Sequence, residues 1–344
     1  MTSALLSFLA RAISTLIAAA ALSAGAIAGG AVSVERVSIT VSDLDRSVEF
    51  FTQTLDFQLL ERREMAGEQT ERLLGVFGAR CQTALLSLGS EQVELVEFVA
   101  APGRPIPDDA RSDDRAFQHI AIVVSDMDAA YRRLHASQVR HTSTEPQRLP
   151  DWNPGAGGIE AFYFKDPDGH ALELIHFPAG KGDPRWQSPN GALFLGIDHT
   201  AIVVEDTDES LRFYRDALGM RLVGSGENYG IEQERLNAVF GAHLRITALR
   251  APDGPGVELL QYLAPSTGRD MPADTRTNDL WSWRTVVRMD EQEVPESLRA
   301  ARAPRISAGP RFPNDRPERV IVADPDRHAV EVHLTTSPSA SHAP

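Results

Sequence analysis

Apolar and polar residues alternate in the same way at four places along the chain, and two of these places read almost alike. His119-Ile-Ala-Ile-Val-Val-Ser-Asp-Met-Asp128 matches His199-Thr-Ala-Ile-Val-Val-Glu-Asp-Thr-Asp208, and weaker copies begin at Val34 and Leu280. Each β-branched run predicts a strand. The aspartate that follows predicts the N-cap of a helix, in the third copy Asp206 or Asp208.

The segment after each opening strand has the spacing of an amphipathic helix. Leu211, Tyr214 and Leu218 fall at i, i+3 and i+7. Three strand-like runs follow in this copy, around residues 220–223, 243–249 and 257–262. The pattern therefore predicts one β-α-β-β-β module for each copy.

A glutamate lies in the middle of the apolar run that closes each module. These glutamates are Glu94, Glu173, Glu258 and Glu331. A carboxylate in a buried strand has to be compensated by a partner. The residues at the histidine position of the four opening strands are Arg36, His119, His199 and Ser282.

Strand alternation predicts where the side chains of the second module point. Ile120, Ile122 and Val124 share one face of the opening strand and should pack on the helix, which places His119 on the other face. Glu173 alternates in the same way with its apolar neighbours. We therefore expect a cavity lined by histidine and glutamate on the concave side of the sheet.

The spacing of the copies shows a tandem duplication of a two-module unit. Arg36 and His199 are 163 residues apart, and so are His119 and Ser282. The predicted boundaries are a signal peptide and short linker at 1–33, a first domain at 34–178 with modules 34–99 and 117–178, a linker at 179–196, a second domain at 197–335 with modules 197–264 and 280–335, and a disordered tail at 336–344.

Composition narrows the classes of partner. The net charge of −14 argues against a nucleic-acid partner, because phosphate binding needs clustered lysine and arginine. The single cysteine, Cys81, excludes an internal disulfide and a cysteine-rich zinc site. We expect a small-molecule substrate or ligand; the oligomeric state cannot be inferred from the sequence.

The N-terminus has the pattern of a secretory signal peptide. Arg11 is the one charged residue among residues 1–33, and the alanine-rich run from Ala12 ends in Ala26-Ile-Ala28. This predicts cleavage near Ala28 and a periplasmic or secreted protein that has no membrane anchor after cleavage. An uncleaved anchor and a misjudged start codon are the alternatives.

Four β-α-β-β-β modules with histidine in the first strand and glutamate in the last resemble the vicinal oxygen chelate superfamily of glyoxalases, extradiol dioxygenases and bleomycin-resistance proteins. The resemblance covers nearly all of 34–334 and includes Asp-Pro-Asp turns at 166–168 and 324–326. It implies an α+β fold in which modules pair into two cup-shaped, incompletely closed β-barrels with helices outside.

The same resemblance implies a divalent metal, with Zn, Ni, Co, Mn and Fe not distinguished. Each cup would take one histidine and one glutamate from each of its two modules. If neighbouring modules pair, each cup lacks a histidine. If pairing is crossed, the second and third modules together supply a complete metal site of His119, Glu173, His199 and Glu258. The sequence leaves both pairings open.

Crossed pairing would give the first and fourth modules a cup without a metal site. Arg284 faces the same way as Ser282 and could compensate the carboxylates there. With neighbouring modules paired, His333 beside Glu331 would be a substitute ligand. His170 and His328 follow the Asp-Pro-Asp turns, and we expect them to be exposed.

Two functions are open on this basis. The first is a metal-dependent lyase, isomerase or dioxygenase acting on a substrate with vicinal oxygens, in which Glu173 or Glu258 is the catalytic group that moves a proton. The second is a metal-free protein that binds or sequesters a small ligand, as bleomycin-resistance proteins do.

Overall fold

The computed structural model describes residues 32–188, 191–290, 304–307 and 319–335. The predicted signal peptide at 1–33 and the tail at 336–344 lie outside these ranges, apart from residues 32 and 33. Both stay predictions, and the N-terminal residue of the mature chain would decide the first. Among the described residues, the helices are too short or too polar to cross a bilayer.

The four modules follow one another in the predicted order. The first and second contain β1 Ser33–Val41, α1 Leu44–Thr54, β2 Gln58–Ala66, α2 Glu68–Leu74, β3 Arg80–Leu88, β4 Glu91–Ala100, β5 Gln118–Val124, α3 Met127–Ala136, β6 Arg140–His141, β7 Gln147–Arg148, β8 Glu160–Lys165 and β9 Ala171–His176.

A short 3-10 helix, Pro184–Gln187, leads into the third module. The remaining elements are β10 Phe194–Val203, α4 Thr207–Leu211 continued by a π-helical turn Arg212–Ala217, β11 Arg221–Tyr229, α5 Ile231–Asn237, β12 His243–Arg250, β13 Gly256–Ala264, β14 Trp283–Asp290, β15 Arg319–Ala323 and β16 Ala329–Thr335. The helix predicted for the fourth module falls outside the described residues.

The strands form two sheets, and each sheet combines one module from each half of the chain. The first sheet has the order β15-β16-β14-β1-β4-β3-β2, and the second has the order β11-β12-β13-β10-β5-β9-β8-β6. At the centre of each sheet the opening strands of two modules pair antiparallel, β1 with β14 and β10 with β5. The pairing of modules is therefore crossed.

The two largest hydrophobic cores mainly follow the sequence halves instead. One core joins α1 and α3 with the strands of the first two modules, through residues such as Phe51, Ile122 and Leu134. A second core does the same for the third and fourth modules, around Tyr214 and Val287. The segments 34–178 and 197–335 thus each have a core, while neither forms a sheet of its own.

Helices α1, α3 and α4 lie between the convex faces of the two sheets, and the concave faces form two open cups. The outer cup belongs to the first and fourth modules, and the middle cup to the second and third. Neither sheet closes into a barrel, as expected for an α+β fold with incompletely closed cups. Asp206 caps α4 by accepting from the backbone N–H groups of Asp208 and Glu209, which confirms the predicted cap.

The prediction that His170 and His328 are exposed is wrong. His170 is buried, with Nδ1 2.8 Å from Asp166 and Nε2 2.6 Å from the carbonyl of Leu280. His328 is also buried and reaches the carbonyl of Val203 at 2.9 Å. Each Asp-Pro-Asp turn therefore contacts an element of the other sheet, which buries the histidine that follows it.

Candidate metal centre

Two histidines and two glutamates converge in the middle cup. Glu173 Oε2 lies 3.0 Å from Nε2 of His119 and 3.6 Å from Nε2 of His199. Glu258 Oε2 lies 3.4 Å from the same nitrogen of His199. One potential ligand atom from each of His119, Glu173 and His199 falls within a 4.8 Å spread. This is close to the spread of about 4 Å that the ligands of one ion have.

His119 provides the strongest local argument for a metal-ligand role. It is 1% exposed, and neither of its ring nitrogens forms an aligned hydrogen bond with a described residue. Buried polar atoms without a partner are rare and call for an explanation. A divalent cation between His119 and Glu173 would satisfy the imidazole, so the donor set fits a metal.

The charges of the cluster hold it together. Burial opposes ionisation of Glu173, but the adjacent imidazoles of His119 and His199 lower its pKa to about 2. Burial also disfavours the imidazolium of His199, yet Glu258, Asp198 and Glu173 raise its pKa to about 10. A metal bound by the neutral imidazole would displace that proton and take over its charge.

Asp198 orients the imidazole of His199 through a hydrogen bond at Nδ1, on the side of the ring away from the glutamates. Its Oδ2 lies 2.9 Å from Nδ1 of His199 and accepts from Arg250 Nη2 at 2.6 Å, while its Oδ1 accepts from Trp186 Nε1 at 3.0 Å. A β-bulge between Ile197 and His199 inserts one extra residue, so two consecutive side chains face the cavity. The bond at Nδ1 leaves Nε2 to face the glutamates.

A cavity of about 1080 Å³ opens above the cluster and gives access to it. Glu173, His199 and Glu258 line this cavity, together with Tyr163. The Tyr163 ring packs 4.9 Å from the ring of His119. Burial and the neighbouring Glu173 raise its pKa well above the usual value, so the phenol stays protonated.

Helix α5 closes part of the middle cup. This helix belongs to the third module but packs on β7 and β8 of the second, and Gln233 and Leu236 on it line the cavity. Helix α2 has the same place in the first module and packs on β15. The cavity is thus built by both modules of the cup.

The outer cup has Arg36 and Ser282 at the two histidine positions, with Arg284 beside Ser282. Arg284 is 2% exposed and donates to Glu331 at 3.3 Å and to Ser38 at 2.6 Å. Ser38 donates to Glu94 at 3.0 Å, and Arg36 lies 3.7 Å from that carboxylate. The guanidinium predicted to compensate the carboxylates thus contacts Glu331 directly and Glu94 through Ser38.

The remaining candidates of the outer cup are also tied up in ion pairs. His333 Nε2 lies 2.9 Å from Glu331, and its Nδ1 lies 2.7 Å from Glu35. Arg319 also pairs with Glu331. Because pairing is crossed, His333 does not share a cup with His199, and it is the one histidine among the described residues around Glu331.

The sequence predicts the four ligand candidates of the middle cup but not the residues that orient His199. Asp198, Arg250 and Trp186 were not singled out, because the bulge at Asp198 breaks the alternation on which the strand argument depends. One signal was present: Glu35 and Asp198 are 163 residues apart, and the bulge in β1 also lies at Glu35.

Comparisons with known proteins agree with this architecture. The family model described as Glyoxalase/Bleomycin resistance protein/Dioxygenase superfamily matches residues 33–174 and 196–332. A 2-epi-5-epi-valiolone epimerase from Actinomyces sp is 40% identical over 157 residues, which cover 44% of this chain and 82% of that protein.

A lactoylglutathione lyase from Arabidopsis thaliana is 28% identical over 183 residues, or 53% of each protein, so the chain spans about half the length of that relative. The crystal structure of glyoxalase I from Zea mays superimposes with a TM-score of 0.56 at 17% identity, covering 88% of this chain and 92% of that one, which supports the fold alone. With the family model matched in both halves, the chain belongs to the Glyoxalase/Bleomycin resistance protein/Dioxygenase superfamily.

Proposed function

We propose that the protein is a divalent-metal-dependent isomerase or lyase that moves a proton at the carbon next to a carbonyl group. The observation that carries this proposal is the convergence of His119, Glu173 and His199 in one cup, with Glu258 beside them. Relatives named as an epimerase and as lactoylglutathione lyases support it.

The two glutamates have different surroundings, which suggests different roles. Glu173 is buried between two imidazoles and has a low pKa, so it suits a permanently ionised ligand. The Glu258 side chain is 25% exposed and lies on the cavity wall at 3.4 Å from His199. It is therefore the better candidate to leave the ligand set and accept a proton from substrate.

The remaining residues of the cup bind the substrate and orient the ligands of the metal. When bound, the divalent ion supplies a Lewis acid that polarises the substrate carbonyl and makes the adjacent C–H more acidic. Asp198 orients His199 through Nδ1, and the protonated phenol of Tyr163 offers a hydrogen bond to an oxygen in the cavity. Glu258 would return the proton to a neighbouring carbon on the face that it reaches, whereas inversion at the same carbon would need a second group that delivers a proton to the opposite face.

Metal content tests the proposal directly. Purified protein should contain about one divalent ion per chain, since four donors converge in one cup, and His119→Ala and His199→Ala should lose it. Ser282→Ala changes the equivalent position of the outer cup and should keep the ion. Elemental analysis by mass spectrometry measures all four proteins.

The opposite result would favour the metal-free alternative. If the wild-type protein carries no ion after incubation with each candidate metal, and EDTA leaves its thermal unfolding unchanged, the metal-dependent function is wrong. Ligand binding in chelator would then point to a sequestering protein.

A further inference from the structure

The cavity of the middle cup is lined by more negative than positive side chains. Among the described residues on its wall, three are arginines: Arg185, Arg221 and Arg250. Twice as many are carboxylates: Glu91, Glu173, Asp183, Asp198, Asp253 and Glu258. If the imidazoles are neutral, the wall has three more negative than positive charges. A bound divalent ion reduces this excess to one negative charge.

Two of the arginines are already paired within the protein. Arg185 donates to Glu91 at 2.5 Å, and Arg250 donates to Asp198 at 2.6 Å. Glu91 and Asp198 are nearly fully buried, so taking either arginine away would leave a buried carboxylate unpaired, which is costly. Arg221 is exposed at the start of β11 and forms no ion pair with a described residue. An exposed cation in water contributes little to binding an anion.

One buried group on the wall requires a hydrogen-bond donor from the ligand. Gln233 on α5 is 2% exposed, and its Oε1 forms no hydrogen bond with a described residue. Its amide nitrogen donates to Asn237, and Asn237 in turn donates to the hydroxyl of Tyr262 at 2.7 Å. In this arrangement Oε1 is the side of the Gln233 amide that is left to accept from a ligand.

An acceptor of this kind selects among ligand groups. Carboxylate and phosphate oxygens at neutral pH accept hydrogen bonds and have no proton to donate, so they would leave Gln233 Oε1 unsatisfied. A hydroxyl group donates to Gln233 and can accept from the phenol of Tyr163. The carboxylates on the wall add further acceptors for hydroxyl donors, and the one negative charge that remains in excess beside a bound ion disfavours an anion.

We propose that the middle cup takes a neutral, hydroxyl-rich carbonyl compound and discriminates against anionic substrates, including glutathione conjugates. This rests on the proposed function, because the carbonyl is the group that a metal would polarise. The discrimination itself comes from the wall and depends on Gln233 and on the surplus of carboxylates.

A neutral and an anionic cyclic hydroxy ketone provide the test; the neutral one also has more hydroxyl groups, so both properties in the proposal favour it. scyllo-Inosose is a neutral cyclic polyhydroxy ketone, and 3-dehydroquinate is a cyclic polyhydroxy ketone with a carboxylate. Isothermal titration of the metal-loaded protein should give a dissociation constant at least about tenfold lower for the inosose. S-hexylglutathione, a glutathione conjugate with two carboxylates, should bind more weakly still.

Two variants of wall residues, with one control, test whether the wall causes the preference for the neutral ligand. Gln233→Leu should weaken inosose binding about five- to tenfold and leave metal content unchanged, because one hydrogen bond is lost. Thr70→Val alters the equivalent position of α2 at the outer cup and should change neither. Asp253→Asn should reduce the difference between the dissociation constants for scyllo-inosose and 3-dehydroquinate, because it removes one exposed carboxylate from the cavity mouth.

Metal content, measured on the same samples, separates the two proposals. A wild-type protein that binds no divalent metal would refute the proposed function. A protein that holds its metal but binds 3-dehydroquinate or S-hexylglutathione as tightly as the inosose, or does not bind the inosose at all, would overturn the substrate class alone. Unchanged inosose binding in a folded Gln233→Leu protein, with folding checked by thermal unfolding, would overturn the role of Gln233.

Discussion

Asp198 shows how a single added residue in a strand can build support for a ligand. The bulge in β10 turns two consecutive side chains to the concave face, one a candidate ligand and the other its carboxylate partner. In metal sites such partners fix the tautomer and the ring orientation of histidine. Glu35 has the same position in β1 but faces Arg288 and His333 in the outer cup.

Replacing Asp198 by asparagine should therefore act on the metal rather than on the fold alone. Asp198→Asn keeps the shape but loses the negative charge that accepts from His199, Arg250 and Trp186. We expect metal affinity to fall about 10- to 100-fold, the usual cost of losing a partner of a ligating histidine. Competition with a chromogenic chelator measures this.

Glu35→Gln is the matched control for Asp198→Asn. It removes the equivalent carboxylate from the outer cup, where Arg284 and Arg319 compensate Glu331. It should lower the free energy of unfolding without changing metal affinity. Equal losses of metal affinity in both variants would contradict the orienting role of Asp198.

At the residue scale, simple strand alternation predicted that His119 and Glu173 share the concave face, and the two side chains meet there because β5 and β9 are regular where those residues lie. Their role as ligands stays a prediction. The same rule could not find Asp198, because a bulge depends on how two strands pair rather than on the residues of one. Gln233 was missed for a related reason: α5 is a short insertion whose packing on the second module is set by tertiary contacts.

The Asp-Pro-Asp turns show the same limit at the scale of elements. Proline and aspartate predict a tight turn, and the turn between β8 and β9 is present, with Asp166 Oδ1 accepting from the backbone of Asp168, Gly169 and His170. Local sequence does not reveal that the carbonyl of Leu280, more than one hundred residues away, covers His170. Burial of this histidine follows from the crossed pairing of the modules.

The cross-link through His170 should make stability depend on pH. Burial alone would lower the pKa of His170, but Asp166 raises it above its usual value of 6.5. A raised pKa in the folded state means that this contribution is fully present below about pH 6.5 and is lost as pH rises through the folded-state value.

His170→Asn tests this by comparison with the wild type. The variant should lose about 2 kcal/mol of unfolding free energy at pH 6, because a buried charge-assisted bond is removed, and the difference should shrink towards pH 9. Urea unfolding across this range measures both proteins. Parallel stability curves would show that the imidazole does not titrate in this way.

At the scale of the whole molecule, two linkers contact each other reciprocally: the first joins β4 to β5 and the second joins β13 to β14. Arg104 in the first linker pairs with Asp279 and Asp274 of the second. Arg269 in the second linker pairs with Asp114 and Asp109 of the first. Contacts that repeat with the roles exchanged are typical of a twofold interface between identical subunits.

The duplication predicted four modules and a family, but it could not decide between neighbouring and crossed pairing. Both linkers are rich in proline and long enough for either arrangement, and the apolar pattern of a central strand is the same whichever module it meets. The choice depends on contacts between halves, such as the pairs of Arg104 and Arg269. These arginines and their aspartate partners recur 165 residues apart, but the recurrence does not say which copy contacts which.

These reciprocal pairs should stabilise the joined halves more than an ordinary surface pair does. The Asp279 and Asp114 side chains are only 3% and 7% exposed, so removing an arginine leaves a buried carboxylate short of donors, although backbone N–H groups still reach it. We expect Arg104→Ala and Arg269→Ala each to cost about 1–2 kcal/mol of unfolding free energy and to act additively, since the two pairs are separate.

Arg80→Ala, which breaks the exposed pair with Glu64 inside one sheet, should cost less than about 0.5 kcal/mol. Chemical unfolding of the three single variants and the double variant measures this, with metal content as a check that the middle cup is intact. A double variant no less stable than Arg80→Ala would mean that the hydrophobic cores alone hold the crossed modules together.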